Sequence, residues 1–198
     1  RSPRELFDAQ VYFLAPAEHV KDEVNEAEAD ARYRRIHENC TVLRFGKETA
    51  WILVTGDADL CAFRNHITEY HRKRLPSFVL DASHHGSRSF FKDKEEDEPY
   101  LDALKAIDPE YVVISAPTAE ESPHDHPHDD ALKLYAEHVG DENVLHTGKE
   151  RETFYFDIYE DGTRSGPQSD KGKLAEDYGL DAEDDGNGGG GSGGKGRA

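Results

Sequence analysis

Two stretches decide how this chain folds: Trp51-Ile52-Leu53-Val54-Thr55-Gly56-Asp57, and downstream of it Phe78-Val79-Leu80-Asp81-Ala82-Ser83-His84-His85-Gly86-Ser87. In each, a short apolar run suited to a buried strand leads directly into a turn that carries metal-ligating side chains. Between them, Asp59 through Arg74 places Leu60, Phe63, Ile67 and Tyr70 at helical spacing, which predicts a helix with one apolar stripe. An open α/β layer exposes its sites at the carboxyl ends of its strands. Asp57 and the His84-His85 pair are therefore expected to converge at one sheet edge.

Working outward, Gln10 to Leu14 reads as a strand stopped by Ala15-Pro16. The charged stretch from Lys21 to Arg35 runs acid first and base last, which suits a surface helix as well as a loop. Thr41 to Phe45 and Ala50 to Thr55 form a strand pair across Gly46-Lys47-Glu48. Further helices are predicted over Tyr100 to Ile107 and over Asp129 to Val139, the latter with Gly140 as its C-cap. Tyr111 to Ser115 is a continuous apolar strand, and Asn143 to Thr147 with Thr153 to Tyr159 close the pattern as a terminal strand pair. Strands alternating with helices indicate an α/β layered fold. Periodicity stops near Asp161, so residues 1–160 are read as the domain and 161–198 as an acidic, then Gly/Ser-rich, disordered tail.

Each chemical motif has a plain structural reading beside the functional one. Thr-Gly-Asp also fits an Asp57 that caps the helix starting near Asp59. A single His after a strand is commonly a surface residue, but two in tandem before Gly-Ser, one strand beyond a strand-end Asp, point to metal. His124-Asp125-His126-Pro127-His128 puts three imidazoles on one side of an extended segment. It reads equally as a solvated acidic loop leading into the helix at Asp129. Cys40 and Cys61 lack CxxC spacing and sit among apolar neighbours, as small buried hydrophobes do.

The formal net charge of −18 argues against nonspecific binding of nucleic acid, which relies on Lys and Arg neutralising phosphates. It leaves a phosphoester substrate open, because two divalent cations would dominate the local field. No apolar run approaches the ~20 residues of a membrane span, and no signal-peptide pattern is present. The expected location is the cytoplasm. The start at Arg1 and the lack of any Met predict that an N-terminal segment has been removed.

Taken in order, apolar strand, Thr-Gly-Asp, helix, apolar strand, His-His-Gly-Ser, helix, Asp-Pro, apolar strand and His-Pro-His resemble metallo-β-lactamase-fold hydrolases. The nearest branch is the hydrolase domain of ComEC-type DNA-uptake proteins. Phe13-Leu14-Ala15-Pro16 and Asn39-Cys40-Thr41-Val42-Leu43 extend the likeness upstream, so that it covers about residues 8–160. The resemblance implies the second half of an αββα sandwich and a metal-dependent phosphodiesterase or nuclease. In that reading Asp57 is the carboxylate shared by two metals. One of His84 and His85 is a ligand, His85 by preference, with His84 facing substrate. His126 stands near the pocket, and Ser87 steadies the turn or contacts substrate. Zinc is the expected metal and manganese the runner-up.

The chain departs from the family in one respect. The His-x-His-x-Asp-His set expected before Asn39 is absent, and His19 and His37 read as isolated. Asp57 with one or two histidines cannot hold a two-metal centre. The chain is therefore expected either to require a complementary N-terminal half or partner chain, or to be a non-catalytic binding or regulatory module. A lactonase or thioesterase on the same fold would differ only in pocket lining.

Overall fold

A computed structural model describes residues 4–6 and 9–169. Its main sheet has seven strands: β1 (Arg4–Leu6), β2 (Ala9–Ala15), β3 (Val42–Lys47), β4 (Ala50–Val54), β5 (Val79–Asp81), β6 (Tyr111–Ile114) and β7 (Val144–His146). They lie side by side in sequence order. Pairing is antiparallel from β1 to β4 and parallel from β4 to β7. The changeover comes from the connections: a tight turn joins β3 to β4, whereas helical crossovers separate the later strands. The architecture is mixed α/β, as the alternating pattern predicts.

Helices cover one face. They are α1 (Glu18–Glu26), α2 (Ala29–Arg34), α3 (Leu60–Ala62), α4 (Thr68–His71), α5 (Asp102–Ile107), α6 (Asp129–Val139) and the short α7 (Thr147–Glu150). On this side the strand register aligns Tyr12, Arg44, Leu53, Leu80 and Val112 across five strands. Leu53, Leu80 and Val112 are fully buried beneath Phe63, Ile67, Phe90, Phe91, Leu104, Ile107 and Tyr135. Arg44 is buried among them because its charge is provided for. Its guanidinium donates to the Pro76 carbonyl at 2.7 Å and lies 3.8 Å above the Trp51 ring. Burial lowers its pKa only to about 10, so it remains a cation at neutral pH.

The opposite face carries two apolar rows. Val11, Phe45, Ile52, Val79 and Tyr111 form one; Phe13, Leu43, Val54 and Val113 form the other, which Asp81 interrupts. A separate hairpin of β8 (Phe154–Ile158) and β9 (Arg164–Ser169) covers part of the first row, with Phe156 against Phe78 and Tyr111. The second row is open: Phe13 is 50% exposed, and Leu43, Val54 and Val113 are half-buried. A sheet face this apolar is ordinarily packed against another layer.

The charged segment that suited helix and loop alike is helical, in two pieces broken at Ala27 and Glu28. Several other expectations change. The helix over 59–74 widens into a π-turn at Phe63–Ile67 and tightens to a 3-10 turn at Arg72–Arg74. The wider turn rotates the downstream residues around the helix axis, so Leu60, Phe63 and Ile67 are buried while Tyr70 is 66% exposed. The expected terminal pair does not form: β7 joins the main sheet beside β6, and β8 pairs with β9. The ordered chain also runs past the boundary expected at 160. Arg164–Ser169 is polar and contains Pro167, so it lacks the alternation that marks a strand, but backbone pairing with β8 holds it. The rest of the expected tail, 170–198, lies outside the described residues. Among those described, no helix is long and apolar enough to cross a membrane.

Candidate metal centre

β4 and β5 are parallel neighbours, so the turns at their carboxyl ends meet at one edge. The two turns are stitched together. The Thr55 hydroxyl donates to the Asp81 carbonyl at 2.8 Å, His84 N–H donates to the Gly56 carbonyl at 2.8 Å, and the buried Ser83 hydroxyl donates to the Ala58 carbonyl. Helix α3 is capped by Asp59, whose carboxylate accepts from Ala62 N–H at 2.9 Å. Asp57 is therefore not the cap, and its side chain is free for other chemistry.

The His84-His85-Gly86 turn is left-handed throughout, with φ of 49°, 57° and 80°. For residues with a Cβ this conformation costs about 1–3 kcal/mol each, and such strain persists where surrounding contacts enforce it. Here it sends adjacent imidazoles to different places. His84 turns inward, with Nδ1 3.3 Å from the Ser89 hydroxyl, while His85 stands exposed at the edge. Gly86 is required at its position, since a Cβ there would lie 2.8 Å from Pro127 Cβ.

Asp57 has three histidines within reach, His37, His84 and His85. His37, Asp57 and His84 bring ligand atoms within 4.8 Å of one another, with the His37 and His84 rings 4.4 Å apart. His85 Nε2 stands 4.0 Å from Asp57 Oδ1. The remaining nitrogen of His85 fixes its tautomer. Nδ1 is 2.7 Å from the Ser115 carbonyl, which can only accept, so in the neutral ring Nδ1 carries the proton and Nε2 the lone pair. A backbone carbonyl behind an imidazole is the usual support of a ligating histidine.

The His124–His128 loop packs over the same edge but divides its labour. His126 is half-buried with its ring 4.8 Å from that of His84. Burial, and then the neighbouring histidines, push its pKa down to about 4, so it is neutral at physiological pH. His128 accepts from Arg88 N–H through Nδ1 at 3.2 Å, which commits its lone pair and places its proton on Nε2. It is a structural acceptor, not a ligand. His124 is exposed, 6.2 Å ring to ring from His126. The three-imidazole grip suggested by an extended segment does not form.

His84 has its pKa lowered, chiefly by burial and against the pull of Asp57. Burial raises Asp81 to about 6, with His85 acting in the opposite direction. The base of the loop is held by Asp130, which pairs with Lys92 at 2.8 Å and Arg88 at 3.3 Å.

The sequence motifs thus pointed to Asp57, His84, His85 and His126, and all four lie together. They passed over His37. That residue reaches the site because the 3-10 turn Ile36–Asn39 folds over the ends of the strands. No spacing rule connects it to Asp57, and its closeness is visible only in three dimensions. The donor set suits a metal of mixed imidazole and carboxylate preference. Neither a family model nor a curated protein matches the chain.

Proposed function

We propose that this chain carries the metal-binding second half of a metallo-β-lactamase-type, metal-dependent hydrolase acting on phosphodiesters. The observation that carries this reading is the gathering of three imidazoles around Asp57: ligand atoms of His37 and His84 lie within 4.8 Å of its carboxylate, and His85 Nε2 lies 4.0 Å from Oδ1. A carboxylate so surrounded suits a ligand shared by two cations. The half-exposed row of Phe13, Leu43, Val54 and Val113 supports the second-half assignment, because a complementary layer would bury it. The phosphodiester class rests on the family resemblance of the ordered sequence motifs.

His37, Asp57, His84 and His85 would hold the metal, zinc in preference to manganese for this donor set. When bound, divalent cations supply a Lewis acid and make water a nucleophile near neutral pH. The chain's own groups do the arranging. Ser115 holds His85 with Nε2 available, and Ser89 orients His84. Asp57 would supply the carboxylate oxygens common to these imidazoles. Neutral His126 meets substrate as a hydrogen-bonding imidazole and adds no positive charge. A complementary segment bearing His-x-His-x-Asp-His, upstream or on a partner chain, would complete the ligand count.

The test is zinc titration together with cleavage of bis(p-nitrophenyl) phosphate. The chain should bind zinc and show little turnover alone. A complementary half should raise turnover, and Asp57→Ala should remove both zinc at this centre and the gain. Turnover unchanged by Asp57→Ala would overturn the assignment. Absence of zinc at His37, Asp57, His84 and His85 would instead favour the non-catalytic binding module.

A further inference from the structure

A second group of histidines lies away from Asp57, where β2, α1 and the π-turn meet. His66 sits in the π-turn Phe63–Ile67 and His71 ends α4. Five positions apart on a regular α-helix, two side chains diverge by well over a quarter turn. The wider π-turn brings these two back together, with ring centres 5.3 Å apart and planes at 82°. On the other side of His66, the His19 ring of α1 stands 5.9 Å away at 75°.

Both Nδ1 atoms, of His66 and of His71, are buried without a hydrogen-bond partner. A buried polar atom left unpaired costs about 1–3 kcal/mol, and two on adjacent rings call for an explanation such as an ion. The spacing agrees with one. With metal–nitrogen bonds of about 2.0–2.1 Å and tetrahedral angles, the ring centres of two imidazoles on one zinc ion fall about 5 Å apart. A cavity of about 180 Å³ lined by His19, Glu23, Cys61, Asn65 and His66 gives access from solvent.

We propose that His66 and His71, with His19 as third imidazole, form a second transition-metal site, independent of the Asp57 centre and suited to Zn²⁺. The rings now meet edge to face, and the exposed His19 side chain would rotate to complete the set on binding. Such an ion would pin α1 to the α3–α4 segment across the end of β2.

The experiment uses Co²⁺ as spectroscopic probe on the whole 198-residue chain, with the Asp57→Ala/His84→Ala variant isolating the second site. That variant should still bind Co²⁺ with the intense visible absorption of tetrahedral coordination. His19→Gln added to it should weaken binding on the order of tenfold or more, the least that loss of a ligand costs. Because His19 is exposed, this change leaves the core intact. His66→Ala/His71→Ala should remove binding, with metal-free circular dichroism checking the fold. As a readout without mutation, Cu²⁺ should broaden the imidazole resonances of His19, His66 and His71 in the unaltered chain. Co²⁺ binding that survives loss of both His66 and His71, no binding to the Asp57→Ala/His84→Ala variant, or broadening confined to the Asp57 centre would each overturn the proposal. None of these outcomes depends on hydrolysis, so this site and the catalytic reading stand or fall separately.

Discussion

Asp81 offers the sharpest energetic test of the structure. It ends β5, half-buried on the face away from the helices, between Val54 and Val113 in the register. Burial raises its pKa from 3.8 to about 6. Unfolded, the carboxyl ionises near the lower value; folded, it holds its proton to the higher one. The folded state therefore binds more protons than the unfolded state between these limits, and stability must fall as pH rises through that window. The stabilising contribution is complete below 3.8 and lost above about 6. Roughly two units at ~1.4 kcal/mol each set a ceiling of about 3 kcal/mol, and solvent near a partly exposed carboxyl reduces this to about 1–2 kcal/mol. Asp81→Asn, neutral at every pH, should then gain about 1–2 kcal/mol over the parent at pH 7.5 relative to pH 4. Urea unfolding of the metal-free chain at both pH values measures it, the pH dependence of the difference cancelling other titrating groups. Parallel pH profiles for the two proteins, or a carboxyl NMR midpoint near 3.8, would refute the argument.

The neighbouring acids should separate cleanly. Asp59→Ala removes the α3 cap and should cost about 1 kcal/mol in chemical denaturation while leaving zinc affinity at the Asp57 centre close to that of the parent; Asp57→Ala should do the reverse. Gly86→Ala puts a Cβ on a left-handed turn, 2.8 Å from Pro127 Cβ. It should cost about 2–3 kcal/mol or more, from the φ penalty and the clash together, and should weaken zinc binding by displacing His84 and His85. A denaturation midpoint equal to the parent's would mean that packing against Pro127 does not hold the turn.

The strand-end chemistry was legible because it is local. Trp51–Val54 and Phe78–Leu80 are apolar runs, and parallel pairing carries the residues after them to one edge with no further information needed. Gly140 as helix stop was legible for the same reason, since one residue with φ of 90° decides it. What stayed hidden depends on contacts distant in sequence. His37 arrives over a loop. The fate of His128 turns on a single backbone N–H from Arg88. The π-turn that exposes Tyr70 carries no signature in the spacing of Leu60, Phe63 and Ile67. β9 has no hydrophobic pattern to read, because backbone hydrogen bonds to β8, rather than side-chain burial, place it.

The strictly sequential strand order bears on how a complementary half would associate. Each strand of the main sheet lies beside its predecessor in the chain, so no gap between β2 and β7 awaits a strand from elsewhere. A partner would be added by stacking on the open face and would not need to thread into the ladder. Stacking leaves every backbone hydrogen bond of the sheet in place and requires no topological rearrangement. Under the proposed reading, a complementary piece would therefore dock by surface contact, over Leu43, Val54 and Val113.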